Sequence, residues 1–219
     1  MTWRDLLFVH WRVEASLMQR LLPKGLEVDT FDGSAWIGLV PFQMDRTRPY
    51  GIPGIPTVSR FFECNVRTYV LHKGIPGVWF FSLDAASRLA VFGGRNFWKL
   101  NYIHAKFKVD VSGNEVDYQL RRANGERTRI KWTVEDALPE SEPGSLRHFL
   151  TDRCYLYAGD GNHLWRSGVF HEPWKLRNAQ LNELDDELVS SVGIRTEGLP
   201  SCMAAEPIDV VGWSLQKLQ

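Results

Sequence analysis

Cysteine is scarce. Cys64, Cys154 and Cys202 are odd in number, far apart and without Cys-x-x-Cys spacing, so neither a disulfide framework nor a zinc knuckle is suggested, and the three read as small core residues. Net charge is lacking as well. With 26 basic and 26 acidic side chains, no global field draws the chain to nucleic acid or to an anionic membrane. No stretch approaches the roughly 20 apolar residues of a membrane span. The start Met1-Thr2-Trp3-Arg4-Asp5 lacks the basic residues and apolar run of a signal peptide, so a soluble, cytoplasmic protein is expected. Linker-like tracts and repeats of solenoid period are missing too, which predicts one domain over 1–219. With 44% hydrophobic and 12% aromatic residues, it can bury a substantial core.

Signatures of familiar chemistry are also absent. There is no Gly-x-Ser-x-Gly, phosphate loop or dinucleotide fingerprint. The histidines, His10, His72, His104, His148, His163 and His171, include no His-x-His or His-x-x-x-His pair, which argues against a metal. Gly159-Asp160-Gly161-Asn162 lacks the regular acidic ligands of a calcium loop. Basic residues do not gather around the 9 tryptophans, so these read as core packing and not as stacking platforms for nucleic acid. No cofactor is expected.

What the chain does have is β pattern. Arg60 to Val70 and Val78 to Asp84 both alternate, and His72 to Gly77 link them, which predicts an antiparallel hairpin. Pairing Leu71 with Val78 sets Arg67 opposite Ser82 and Asn65 opposite Asp84. Glu63, Asn65, Arg67, Ser82 and Asp84 then share one polar face, either a solvated surface or the wall of a ligand cavity in a barrel. Leu6 to Val13 reads as a buried strand, and Glu14 to Leu22 as a short amphipathic helix stopped by Pro23 and Gly25. Asp32-Gly33 between Leu26–Phe31 and Ser34–Phe42 predicts a second hairpin. Arg46 to Thr57, rich in Pro and Gly, reads as an ordered loop or a lid. A helix over Ala85 to Gly94, with Asp84 as N-cap, precedes a meander of Tyr102–Val109, Val116–Leu120 and Arg127–Val134. A helix after Ser145, strands at Tyr155–Tyr157 and Leu164–His171, a helix near Leu184–Val192 and a last strand Ile208–Trp213 follow. Many strands with few short helices predict a mainly β (α+β) barrel or sandwich.

Several segments together resemble the uncharacterised bacterial proteins of the YqjF type. They are Phe8-Val9-His10-Trp11-Arg12-Val13, Asp29-Thr30-Phe31-Asp32-Gly33 leading to Val40-Pro41-Phe42, Glu63 to Val70, Phe80 to Asp84, and His171-Glu172-Pro173-Trp174. That family is similar in turn to acetoacetate decarboxylase. The resemblance implies a cone-shaped antiparallel β-barrel with a few peripheral helices and a site inside it. Relatives of the decarboxylase carry Gly-Arg-Glu, then Gly-x-Pro-Lys, whose lysine forms a Schiff base with a β-keto acid. Gly94-Arg95 matches the first pair, but Asn96 stands at the glutamate and, at the same spacing, Tyr102 stands at the lysine. Tyrosine cannot form an imine, so the carbanion of a decarboxylation would have no electron sink. Glu63 resembles the glutamate of the decarboxylase's Tyr-x-Glu segment.

These residues define the candidate site. Arg67 and Arg95 offer planar forks to a carboxylate, although pairing of Arg67 with Glu63 or Asp84 is the structural alternative. Glu63 would orient the ligand or exchange a proton, and Tyr102 would donate a hydrogen bond. Asn65, Ser82, Asp84 and His10 complete the set. The leading expectation is a barrel that binds a small carboxylate-bearing molecule. One alternative is a lyase or aldolase whose imine forms at Lys99, which requires that lysine inside the barrel. The other is an interaction protein with a filled barrel and an exposed apolar patch. If the protein is an enzyme, a decarboxylase-like lyase or a hydrolase acting on a small organic acid fits.

Overall fold

In the computed structural model, residues 1–47 and 59–218 are described; most of the expected loop from Arg46 to Thr57 lies outside them. The chain runs β1 (Thr2–Arg4), β2 (Leu6–Val13), α1 (Ala15–Leu21), β3 (Glu27–Val28), β4 (Ala35–Asp45), β5 (Phe61–His72), β6 (Ile75–Ala85) and α2 (Arg88–Phe97). It continues with β7 (Tyr102–Ser112), β8 (Glu115–Arg122), β9 (Arg127–Ala137), α3 (Leu146–Thr151), β10 (Tyr155–Gly159), β11 (Leu164–His171) and β12 (Leu176–Asp186). The last elements are α4 (Leu188–Ser191), β13 (Ser201–Ala205), β14 (Ile208–Gly212) and β15 (Gln216–Lys217). No helix among the described residues is long and apolar enough to cross a membrane.

All the strands join one sheet, and its pairings close twice. One ring runs β4-β5-β6-β7-β8-β9-β12-β13-β2 and returns to β4; the other runs β4-β5-β6-β10-β11-β14-β1 and returns to β4. The two barrel-like rings therefore share β4, β5 and β6. The ladders are antiparallel except at β6–β7 and β6–β10. Because side chains alternate across a strand, a shared strand feeds both interiors. Leu7 and Val9 join Leu39, Val66, Tyr118 and Trp132 in one core, while Leu6 and Phe8 join Val40, Phe42, Tyr69 and Trp174 in the other. Burial on both faces is why Leu6–Val13 is almost continuously apolar.

The central hairpin differs from expectation in register. Lys73 and Gly74 form a two-residue turn with φ of +49° and +78°, which suits the twist of adjoining strands and sets Leu71 opposite Pro76. Phe81 is then an extra residue, since Val66 pairs with Ser82 while Arg67 pairs with Phe80. This bulge turns the following residues over. Glu63, Asn65, Arg67 and Tyr69 face the second ring, whereas Ser82 and Asp84 face the first with Cys64 and Val66. The single polar face expected from the alternation is thus two clusters, one in each ring.

Other local readings also shift. β3 pairs with β5 rather than β4, because β2 and β5 already occupy both edges of β4; only the Phe31–Ser34 bridge closes the Asp32-Gly33 turn. Asp84 lies within strand β6 instead of capping a helix. Ser87 caps α2, accepting from the Ala90 amide at 3.2 Å, and the helix continues through Gly93-Gly94. Gly94 is needed there for space: a Cβ would lie 2.1 Å from the Tyr102 ring. Of the helix expected near Leu184–Val192, Leu188–Ser191 is helical, whereas residues 184–186 are the end of strand β12. Cys64 is buried and Cys202 half-buried, but Cys154 is exposed.

Candidate functional site

The second ring holds a polar row across three strands. His10 on β2 pairs with Gly38 on β4, and Gly38 pairs with Arg67 on β5. Glycine leaves the gap that the larger neighbours fill, since a Cβ at Gly38 would sit 2.7 Å from His10 Nε2. Tyr69 is two residues along β5 on the same face. Its hydroxyl donates to the Leu150 carbonyl at 2.5 Å, and Arg67 Nη2 donates to that carbonyl at 2.9 Å. Both satisfy an orphan acceptor in the last turn of α3. With the Tyr69 proton on Leu150, the 2.7 Å contact between Tyr69 Oη and His10 Nε2 requires the imidazole to donate. His10 is fully buried, and burial followed by the Arg67 charge holds its pKa well below the ordinary value. Its neutral ring therefore carries the proton on Nε2, and Nδ1 presents a lone pair.

Three side-chain atoms of this row have no hydrogen-bond partner although buried: His10 Nδ1, Arg67 Nε and Asn65 Oδ1. Arg67 is 7% exposed, and among the described residues no carboxylate pairs with it. The expected structural pairing of Arg67 with Glu63 or Asp84 is not found. Its guanidinium lies over Phe8 and Tyr69, 5.3 and 5.7 Å from the ring centres. A buried cation with an unpaired donor is costly unless an anion comes to it.

Further along β5, Glu63 is 1% exposed and accepts from Tyr102 Oη at 3.1 Å. Burial pushes its carboxyl up to about 8 against the lowering effect of the Tyr102 and Asn65 hydrogen bonds. It is therefore a neutral acid at pH 7, able to donate as well as accept. Burial and the neighbouring Glu63 hold the Tyr102 hydroxyl well above its usual range. Tyr102 and Glu63, expected to act together, do touch.

Ser82 and Asp84 belong to the first ring. Arg122 Nε and Nη2 grip the Asp84 carboxylate at 2.6 Å each, Nη2 also reaches Ser82 Oγ at 2.8 Å, and Nη1 pairs with Glu126 at 2.5 Å. Every strong donor here has a protein acceptor, so this is a structural network. Burial outweighs Arg122 and keeps the Asp84 carboxyl above its ordinary value.

Arg95 and Lys99 lie outside both rings. Both are exposed, Arg95 donating Nε–H to the Tyr102 carbonyl at 2.6 Å. The imine reading needed Lys99 in an interior, and the fold puts it on the surface. None of the other lysines is buried either. Sequence reasoning missed Tyr69, Arg122 and Gly38. Arg122 carries a readable signal, being in phase with the inward Tyr118 and Leu120 of the same strand. Among the described residues, no group of three or more His, Cys, Asp or Glu converges as a metal cluster would.

A family model described as an uncharacterized conserved protein, DUF2071, matches residues 1–209. The chain belongs to the DUF2071 family. The uncharacterized protein YqjF of Bacillus subtilis (strain 168), 39% identical over 219 residues, aligns with 99% of this chain and 90% of its own length. Among solved structures, the enduracididine biosynthesis enzyme MppR superposes with a TM-score of 0.72 at 16% identity, over all of this chain and 86% of its own. Acetoacetate decarboxylase from Legionella pneumophila does so with a TM-score of 0.66 at 13% identity, again over all of this chain and 86% of its own. This DUF2071 chain therefore has the acetoacetate-decarboxylase-like fold, mainly β with a few short helices.

Proposed function

We propose that this DUF2071 protein binds a small carboxylate-bearing molecule in its second ring and does so without imine chemistry. The observation that carries the reading is the buried Arg67, whose Nε lacks a partner beside the equally unpartnered Asn65 Oδ1 and His10 Nδ1. Arg67 would receive the carboxylate. Asn65 Oδ1 and His10 Nδ1 would accept from a hydroxyl, enol or ammonium of the same molecule, and the protonated Glu63 with Tyr102 would donate to a carbonyl. Strand rise separates Asn65 from Arg67 by about 7 Å, which suits a ligand of a few carbons. The similarly folded MppR has been solved with pyruvate bound, which is consistent with an acid of that size. That no lysine is buried supports a reading without an imine-forming nucleophile in an interior.

The interaction-protein reading has one observation in its favour: Leu89, Phe92 and Phe97 of α2 are 60%, 60% and 72% exposed. It also requires a filled, satisfied interior, and the three unpartnered polar atoms speak against that.

Calorimetric titration with pyruvate and acetoacetate, against their methyl esters, tests the proposal. The acids should bind, the esters should not, and Arg67→Met should weaken binding about tenfold or more, the worth of a charge-assisted hydrogen bond. Arg67→Lys should recover part of it. Equal binding of acid and ester, or unchanged affinity in a folded Arg67→Met, would overturn the reading. A borohydride-trapped adduct at any lysine would restore imine chemistry.

A further inference from the structure

The rings part along β6. On one edge β6 pairs with β10 at Val78 and Trp79, then with β7 from Leu83 to Ala85, both parallel. β5 lines the opposite edge throughout. Between the two parallel neighbours, around the Phe81 bulge, the strands diverge and leave an external cleft of about 510 Å³. Crevices where neighbouring parallel strands part are favoured ligand positions in open sheets, and small-molecule sites occupy about 300–1,000 Å³.

The lining combines aromatic and cationic side chains. Trp79 and Phe81, both half-buried, supply flat apolar surface, and Arg95 and Lys99 line the same cleft. Among the described residues neither cation has an ion-pair partner. The Nε–H of Arg95 is fixed on the Tyr102 carbonyl, leaving the outer edge of its fork for a ligand. Lys99 is held at φ +51°, a left-handed conformation that lysine adopts when its surroundings impose it. The acidic lining residue, Asp160, already accepts from the Asn162 and His163 amides at 3.0 and 2.9 Å. The cleft thus joins two positive charges that lack an ion-pair partner among the described residues to exposed aromatic surface.

We propose that this cleft is a binding site for a small aromatic carboxylate, its ring against Trp79 and Phe81 and its anion between Arg95 and Lys99. The site is separate from the Arg67 row, from which the β6 wall divides it. Aromatic contact supplies affinity and the charges select the anion.

The test is a fluorescence titration of the full chain with 2-naphthoate and with neutral 2-naphthamide. Saturable binding of the naphthoate is expected, with the amide clearly weaker. Arg95→Ala and Lys99→Ala should each weaken it about threefold to fivefold and the double variant about tenfold or more, as for half-exposed charges; Arg67→Lys should leave it unchanged. Absence of saturable binding, equal binding of the amide, or full affinity in the double variant would overturn the proposal. So would a loss confined to Arg67→Lys, which would place the probe in the inner row.

Discussion

Replacing Glu63 by glutamine keeps the side chain's shape and its acceptor for Tyr102 but removes a titration. In the folded protein the carboxyl titrates near 8, against an ordinary value of 4.5. Between those values the folded chain keeps a proton that the unfolded chain has released, so raising the pH favours unfolding. Each pH unit in that window costs about 1.4 kcal/mol, so wild type should lose about 2.7 kcal/mol from this residue between pH 5.5 and 7.5. Glu63→Gln should not. Urea denaturation followed by tryptophan fluorescence reads the difference directly. With a slope of about 2 kcal/mol per M, the midpoints should diverge by roughly 1.3 M across the window. The divergence should stop above about pH 8, where the folded carboxyl also ionises. Parallel midpoint profiles for the two proteins would refute the claim that Glu63 is held neutral by burial.

Two further substitutions probe the rings separately. Asp84→Ala leaves Arg122 buried without its bidentate partner and should destabilise the fold by about 3–5 kcal/mol in urea denaturation, without changing which ligands bind the second ring. Gly38→Ala places a Cβ 2.7 Å from His10 Nε2; it should cost about 1–3 kcal/mol by overpacking and weaken pyruvate binding in calorimetry by displacing His10 and Arg67.

Much of the fold was legible because burial on both faces writes itself into composition. Leu6–Val13 matches its strand end for end, and the meander from Tyr102 to Val134 was marked by Gly113 and Gly125 turns. The hairpin register was not legible. Phe80 and Phe81 are both apolar, so the extra residue leaves no break in the pattern that would announce a bulge, and the shift moves Ser82 and Asp84 into the other interior. β12 was hidden for a different reason. Its Asn178, Gln180 and Asn182 are exposed, so no apolar run marks the strand, and the short helix Leu188–Ser191 that follows drew the helical reading back over its last residues. Within the site, Glu63, Asn65 and Arg67 were legible from alternation alone. Arg95 and Lys99 stand on the surface, which neither the Gly94-Arg95 match nor the local sequence reveals, because the side of a wall that a side chain takes is set by packing.

The wall shared by the two rings also differs from their closing pairs in the entropy of assembly. β4, β5 and β6 follow one another in sequence, so their ladders close over short loops or a single connection. The rings are completed by pairs such as Thr2 with Asp209 and His10 with Ser201, which join opposite ends of the chain and carry the largest loop-closure entropy. The partition therefore closes at a lower loop-entropy cost than the terminal pairs that complete the rings. A lesion at Phe81 or Gly38 strikes the wall common to both interiors, whereas a lesion at β1 or β14 affects the closing of just one.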